Sequence, residues 1–362
     1  MNAFTDYEFM ARAIALAKRG WYTTDPNPRV GCVLVKDGRV IAEGWHQYAG
    51  GPHAEIVALN QVSDAEGATC YVTLEPCSHH GRTGPCCEAL IKAGIARAVV
   101  AMQDPNPQVA GRGLQKMREA GIAVEVGVLQ KDAEALNPGF IKRMRHGLPW
   151  LCSKLAMSLD GRTAMASGES QWITSAASRA DVHRLRAESS AIVTGINTVL
   201  ADDPLLNARV DFEIKQPIRI VLDSHLKMPP GARMLKHLDS PVWIITTSPD
   251  TDKKQVLEQA GAEVFKLSSK DNTLDLHSVF KWLAQQHINQ VWLEAGAILN
   301  AALLESGLID EWLVYMAPCV MGDQARGLFH LPQLETMAQR HQLVFNDVRK
   351  IGPDLRLTLT QK

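Results

Sequence analysis

Apolar and polar positions along this chain switch between a helical period and a strand period, and the switches mark out its elements. Phe9, Ala13, Ile14 and Ala17 recur at helical spacing after Thr5 and Glu8, which have capping-box spacing, and Gly20 ends the run. Strand-like residues 30–35 and 39–42 flank Lys36-Asp37-Gly38, an Asp-Gly hairpin signal. A helix starting near Pro52 runs through Ile56, Val57 and Leu59. A strand over 69–74, a helix over 85–92 closed by Gly94 and a strand over 98–102 follow. A helix over 114–119 and a strand over 123–128 complete the set, which predicts an α/β domain over residues 1–145.

Residues 140–149 bring Lys142, Arg143, Arg145 and His146 together and read as a basic, solvated linker. Beyond it, strand-like runs at 151–157, 191–194, 218–222, 242–246, 291–293 and 312–317 enclose helical stretches at 177–188, 274–285 and 299–306. A second α/β domain is therefore predicted over residues 146–362.

Composition narrows the function. With 38 basic and 39 acidic residues the net charge is −1, without the basic excess that gripping many phosphates of DNA or RNA needs. Hydrophobic residues at 46% supply a core, and no apolar run reaches the roughly 18 residues of a membrane span. The opening segment mixes Asp6, Glu8 and Arg12 into an amphipathic pattern unlike a signal peptide. A soluble cytoplasmic protein is expected, with neither a nucleic-acid nor a membrane partner. Of seven cysteines, five lie within the first 87 residues, beside His46, His53, His79 and His80. Where disulfides are disfavoured, such a cluster points to metal or catalysis. Cys32, Cys70, Cys152 and Cys319 sit in apolar runs and read as core residues.

Three fragments carry the first chemistry: Pro52-His53-Ala54-Glu55, Glu75-Pro76-Cys77 and Gly84-Pro85-Cys86-Cys87-Glu88. His53, Cys77 and Cys86 can hold Zn²⁺ tetrahedrally and leave a fourth position for water, whose pKa falls to about 7 on the metal. Glu55 follows a ligand by two residues and is placed to move protons rather than bind metal. Pro52 and Pro85 predict helix N-termini at the ligands, where the dipole favours thiolate. The competing arrangement is a closed zinc site with His79, His80 or Cys87 as fourth ligand, which leaves Glu55 without a role.

H-x-E with a later P-C…C is the signature of the zinc nucleobase deaminases, here with eight residues between Cys77 and Cys86 instead of their usual two. Together with the run from Thr73 to Thr83, Asp25-Pro26-Asn27-Pro28-Arg29-Val30-Gly31 and Gln103-Asp104-Pro105-Asn106-Pro107, that gap resembles the bifunctional riboflavin-biosynthesis deaminase/reductase family over essentially the whole chain. The resemblance implies a cytidine-deaminase-like α/β/α domain followed by a dihydrofolate-reductase-like α/β domain, and a homo-oligomer. It implies deamination of a pyrimidine ribosyl-phosphate, then NADPH reduction of its ribosyl group. It also implies that Asn27, His46, His79, Arg82, Asp104 and Asn106 contact the substrate of the deaminase. Asn and Asp suit amide-like base edges or sugar hydroxyls and Arg82 suits a phosphate, although the residues beside prolines also suit ordinary turns.

The second domain lacks G-x-G-x-x-G. Read by spacing, Glu294-Ala295-Gly296 is an ordinary strand-to-helix turn, whose free N–H groups could also receive a phosphate. The resemblance implies an NADPH site lined by Ala156, Trp172, Thr198, Asp202, Ser224 and Gly296, Ala297, Ile298, Leu299, Asn300, Ala301 and Ala302. It implies that Ser170, Arg186, Leu206, Arg209 and Glu294 hold the substrate. Guanidinium groups match phosphate bidentately, which makes Arg186 and Arg209 candidate clamps. Lys154 and Asp160 stand in the most family-like run, with a salt bridge as plausible for each as a catalytic step. Two other functions fit parts of the chain: a deaminase of a nucleic-acid base, and a zinc-stabilised nucleotide sensor without turnover.

Overall fold

The computed structural model describes residues 3–78, 84–107, 109–237, 239–267 and 272–362. The chain forms two compact units. Unit 1 comprises Met1–Gly147 with Glu213–Lys215, and unit 2 comprises Leu148–Phe212 with Gln216–Lys362.

In unit 1, strands β1 (Gly31–Lys36), β2 (Arg39–Trp45), β3 (Thr69–Val72), β4 (Arg97–Val100) and β5 (Ala123–Val126) form one sheet of order β2-β1-β3-β4-β5. β1 runs antiparallel to β2 and β3, whereas β3, β4 and β5 are parallel. The central strands are apolar along their middles, with Lys36, Thr69 and Arg97 only at their ends, because both faces are covered. Val33, Val35, Tyr71 and Val99 face a cluster with Met10, Ala13 and Leu16 of α1 (Ala3–Ala17). Cys32, Leu34, Cys70, Val72, Ala98 and Val100 face the other side. There they meet α2 (Ala54–Leu59), α3 (Cys86–Lys92) and α4 (Arg112–Glu119) through Ala58, Leu90, Leu114 and Met117. Gly44 lets α2 lie directly on β2, since a Cβ there would stand 2.2 Å from the Ala54 carbonyl oxygen. The hairpin turn is as predicted, with positive φ at both Asp37 (53°) and Gly38 (74°).

The solvated linker expected at 140–149 is instead mostly helix. After α5 (Gln130–Glu134) comes α6 (Pro138–His146), which buries Phe140 and Ile141 in the α1-side core. Pro138 in its first turn, Gly147 in left-handed conformation at its end and basic residues in its last turn are consistent helix signals. The density of positive charge hid them.

Unit 2 is built on β6 (Trp150–Ser158), β8 (Ala191–Gly195), β9 (Ile218–Leu222), β10 (Val242–Thr246), β11 (Ala262–Lys266), β12 (Gln290–Leu293), β13 (Glu311–Ala317), β15 (Leu343–Ile351) and β16 (Asp354–Gln361). Their order is β11-β10-β9-β8-β12-β6-β13-β16-β15, parallel as far as β13 and antiparallel for β16 and β15. A small ladder joins β7 (Arg162–Ala164) to β14 (Arg326–Gly327). The helices are α7 (Ala176–Ala187), α8 (Ile196–Asp202), α9 (Arg233–Lys236), α10 (Thr251–Gln259), α11 (Leu276–Gln285) and α12 (Ala297–Glu305). Alternate residues of the parallel strands again enter two cores, Leu151, Val193, Ile220 and Leu293 on one side, Cys152, Ile192, Val221 and Trp292 on the other. The apolar pattern did not mark α8, α9, α10, β7, β11, β14, β15 or β16. β15 is an edge strand with most positions exposed, so burial imposes no alternation on it. Cys32, Cys70 and Cys152 are buried as expected, but Cys319 is exposed just beyond β13, where its apolar run has already left the sheet.

Candidate active sites

In unit 1 the three proposed ligands converge. His53 is the N-cap of α2, Cys86 is the first residue of α3, and Cys77 lies on the segment after β3. Pro85 is the N-cap of α3 and Pro52 stands just before the N-cap of α2, so neither lies in the first helical turn, while the ligands still fall at helix starts. His53 Nδ1 lies 3.5 Å from Cys77 Sγ and 3.3 Å from Cys86 Sγ, and the three donor atoms are all within 4.8 Å of one another. Tetrahedral zinc with ordinary bond lengths places N and S donors about 3.6 Å apart and two sulfurs about 3.8 Å apart. The donor set and its spacing therefore fit zinc. Among the described residues it is the one group of three such donors. Cys87 instead packs in the sheet core with Leu90 and Leu114, which removes it as a fourth ligand. His79, His80 and Arg82 lie outside the described residues.

The electrostatics fit a cation as well. The Cys86 amide donates to Cys77 Sγ at 3.3 Å, and hydrogen bonds from Cys86 and His53 bring the Cys77 thiol down to about 4. The neighbouring Cys77 and burial push the Cys86 thiol up. A divalent cation would reverse that second shift. Glu55 is only 3% exposed, and burial raises its carboxyl to about 6, partly opposed by His53. That is the range in which a carboxyl group can both accept and return a proton near neutral pH.

Asn27 and His46 stand together beside this trio. His46 Nδ1 faces the Pro52 carbonyl at 3.0 Å, so it carries the proton and donates it. Burial lowers the His46 pKa, and the neutral Nε2 accepts from Asn27 Nδ2 at 3.0 Å. This leaves the Asn27 carbonyl as the group it offers a ligand. The loop is held by residues that sequence reasoning passed over: the Arg29 amide donates to Asn137 Oδ1 (2.8 Å) and Asn137 Nδ2 donates to the Arg29 carbonyl (3.0 Å). The Arg29 guanidinium also bonds the Trp21 and Leu136 carbonyls. Asp104 and Asn106 lie on the segment after β4, where Asp104 Oδ1 accepts from the Asn106 amide at 2.8 Å.

In unit 2 the candidate cofactor residues gather at the carboxyl ends of adjacent parallel strands, where open α/β sheets bind ligands. Ala156 lies near the end of β6, Thr198 and Asp202 on α8 directly after β8, Ser224 after β9, and Gly296 to Ala302 at the start of α12 after β12. Gly296 is the N-cap, and Ile298 (66% exposed) and Leu299 lie beyond it. Asn300 is fully buried, accepting from Ser153 Oγ (2.6 Å) and donating to the Ala295 carbonyl (2.7 Å), and Ala301 is buried too. The Asn300 side chain thereby ties this turn to β6. Trp172 is exposed, with the Arg179 guanidinium 4.5 Å above its ring, and Ser170 lies on the same segment.

The substrate candidates of unit 2 are already paired. Arg186 donates to both oxygens of Glu294, Nε to Oε1 at 2.6 Å and Nη2 to Oε2 at 2.8 Å, and to the Asn207 carbonyl at 2.9 Å. Trp292 Nε1 donates to the same carboxylate at 2.7 Å. Although burial alone would raise it, Arg186 first and Lys154 after it bring Glu294 down to about 2. Burial pushes the Lys154 ammonium down, against the pull of Glu294. Arg209 is exposed and bonds Asn207 Oδ1 at 3.0 Å, which leaves it the freer of the two guanidinium groups. Leu206 is buried, with left-handed backbone (φ 49°). Asp160 accepts from the Met321 and Gly322 amides and from Ser158, bonds that hold its carboxyl at about 2 and fasten the loop after β13.

Known proteins share this arrangement. Residues 4–102 match the cytidine and deoxycytidylate deaminase zinc-binding region, and residues 149–357 match the RibD C-terminal domain. The riboflavin biosynthesis protein RibD of Escherichia coli K12 is 51% identical over 98% of this chain and 99% of its own. That of Haemophilus influenzae is 48% identical over 99% and 98%. Acinetobacter baumannii RibD superposes on all of the chain with a TM-score of 0.93 at 45% identity, each chain covered completely. The diaminohydroxyphosphoribosylaminopyrimidine deaminase/5-amino-6-(5-phosphoribosylamino)uracil reductase of Thermotoga maritima superposes over 99% of both chains, with a TM-score of 0.87 at 32% identity. With a zinc-type donor trio in one unit, a parallel-sheet ligand edge in the other and full-length identity of this order, the chain belongs to the RibD family of riboflavin biosynthesis proteins.

Proposed function

We propose that unit 1 deaminates 2,5-diamino-6-(5-phosphoribosylamino)pyrimidin-4(3H)-one and that unit 2 then reduces the ribosyl side chain with NADPH, giving 5-amino-6-(5-phosphoribitylamino)uracil. The observation that carries the deaminase half is the convergence of His53, Cys77 and Cys86 beside a buried Glu55 whose carboxyl is raised to about 6. Zinc held by these three donors supplies Lewis acidity at neutral pH. Glu55 takes a proton from the attacking water and delivers it to the departing amine, so that water is consumed and ammonia leaves. Asn27, oriented by His46, binds an amide-like edge of the pyrimidine, with Asp104 and Asn106 on its other groups.

In unit 2, NADPH supplies the hydride when bound along the strand ends at Ala156, Thr198, Asp202, Ser224 and the start of α12. Arg209 meets the substrate phosphate. Arg186 orients Glu294, and the pair faces the substrate as a unit, with Ser170 and Leu206 completing its contacts. We include in this reading a cytoplasmic homo-oligomer, in keeping with the exposed β15 edge and its exposed Val344, Phe345 and Val348. Among the described residues no helix is long and apolar enough to cross a membrane.

A coupled assay tests the central claim. Ammonia release from the diaminopyrimidinone before NADPH is added, followed by NADPH oxidation only in deaminated samples, is the expected result. Ammonia without NADPH oxidation sinks the reductase half. No ammonia release from zinc-replete protein overturns the deaminase half.

A further inference from the structure

Glu75 stands two residues before Cys77 and is only 3% exposed. Its carboxylate accepts four backbone N–H groups. Oε2 takes those of Asp104 (3.1 Å) and Gly111 (2.9 Å), and Oε1 takes those of Gly113 (2.9 Å) and Leu114 (3.4 Å). A hydroxyl or a single amide could not satisfy this set. An ionised carboxylate has two oxygens and lone pairs for all four donors. The donors fall into two groups with different meanings.

Gly113 and Leu114 belong to the first turn of α4, whose N–H groups have no partner inside the helix. The N-cap of α4 is Gly111, in left-handed conformation (φ 79°) and with no side chain to cap with. Glu75 therefore caps α4 from another segment, at the end where the helix dipole favours a negative charge. Asp104, the other kind of donor, holds the Asn106 amide through its own Oδ1. The Glu75 amide also donates to the Met102 carbonyl at 3.0 Å, which ties the end of the β4 segment to the same point. Contact at this junction is tight, since a Cβ on Gly113 would come within 2.2 Å of the Pro76 carbonyl oxygen.

We propose that Glu75 is a positioning residue of the deaminase, fixing the spacing between the ligand segment that ends in Cys77 and the backbone that presents Asp104 and Asn106 to the substrate. The proposal rests on unit 1 being the deaminase with Asp104 and Asn106 as substrate contacts. Glu75 itself touches neither the reacting atoms nor the metal donors. Its removal therefore weakens substrate positioning while leaving proton transfer by Glu55 intact.

The decisive variant is Glu75→Gln in the full chain. It keeps the side-chain shape but turns an NH₂ group towards two of the four N–H donors. We expect KM for the pyrimidine to rise about tenfold, the scale of losing a supporting hydrogen-bond shell, with kcat nearly unchanged. Zinc content and reduction of the deaminated intermediate stay at wild-type levels. Hydrogen exchange should speed up at Gly111, Gly113 and Leu114 and not in α2. Gly113→Ala keeps the Glu75 carboxylate in the chain but puts a Cβ against the Pro76 carbonyl oxygen and 3.2 Å from Glu75 Oε1, so it disturbs the same junction from the helix side. It should raise KM in the same way, which keeps the test open if Glu75→Gln folds poorly. Unchanged exchange at those amides, or faster exchange with unchanged KM, overturns the proposal, as does an equal fall in both activities of either variant. If the wild-type chain releases no ammonia, the deaminase reading fails, and the exchange result still reports separately whether Glu75 holds the segment.

Discussion

In unit 1, two thiols and a buried carboxyl crowd round one imidazole, and among the described residues burial, His53 and the two thiols, rather than an arginine or lysine, are the main influences on Glu55. In unit 2, Glu294 already has Arg186 across both oxygens, Trp292 on one of them and Lys154 nearby. The same ingredient, a buried carboxyl group, is driven in opposite directions: up to about 6 at Glu55 and down to about 2 at Glu294. The difference lies in what each site lacks. Among its described residues unit 1 sets two thiols and a carboxyl against a single imidazole, which suits a dication and a carboxyl that must exchange protons. Unit 2 pairs its carboxylate with its own cations, which fits a site whose charged groups are held in place by a rigid fork and whose carboxyl stays ionised near neutrality.

If that contrast is right, substitutions in the two units should separate cleanly. Glu55→Ala should lower ammonia release by about 10²–10⁴-fold. Zinc content and reduction of the deaminated intermediate should be retained, as metal analysis and NADPH oxidation would show. Normal deamination by this variant would break the comparison at its stronger end. Glu294→Ala should do the reverse. It leaves Arg186 buried without its partner, a change that costs about 3–5 kcal/mol. Urea unfolding should show that loss in the transition of unit 2, with deamination intact.

Acid should also sharpen the difference. Glu294 is depressed in the folded chain, so its contribution to stability is fully present above its ordinary value of 4.5 and is lost as pH falls towards about 2. Melting temperatures measured between pH 6 and pH 2.5 should therefore fall in wild type more steeply than in Glu294→Gln; parallel curves would remove the pair's role. The smallest effect is expected at Trp172, which is 69% exposed and supports little of the fold. Trp172→Ala should change stability by less than about 0.5 kcal/mol. Loss of one aromatic contact worth about 1 kcal/mol should raise KM for NADPH about fivefold. A wild-type KM would take Trp172 out of the cofactor site.

Much of unit 1 was legible in the chain because its signals are local. Asp37-Gly38 can hardly be anything but a tight turn, and the apolar strands β1, β3 and β4 state their burial on both faces. His53, Cys77, Cys86 and Glu55 announce themselves by residue type and spacing, because few chemistries need that set. The edge strand β15 and the helix α6 were not legible. An exposed edge imposes no alternation, and in α6 surface charge outweighed the Pro138 and Gly147 signals. The apolar run around Cys319 misled for a related reason, since an apolar neighbour in sequence is not a buried one in space.

By itself, then, the sequence determined the chemistry: a histidine, two cysteines and a glutamate at spacings suited to zinc, and a second α/β unit whose motifs match one family. Tertiary structure decided which groups are free to act. Only folding places Arg186 against Glu294 across 108 positions of sequence, and only folding brings Glu75 to four amides from Asp104 to Leu114. Hydrogen bonding and ionisation depend on distances of a few ångströms and on exclusion of water. Residue order sets which groups exist, but the packed fold sets those distances and that exclusion.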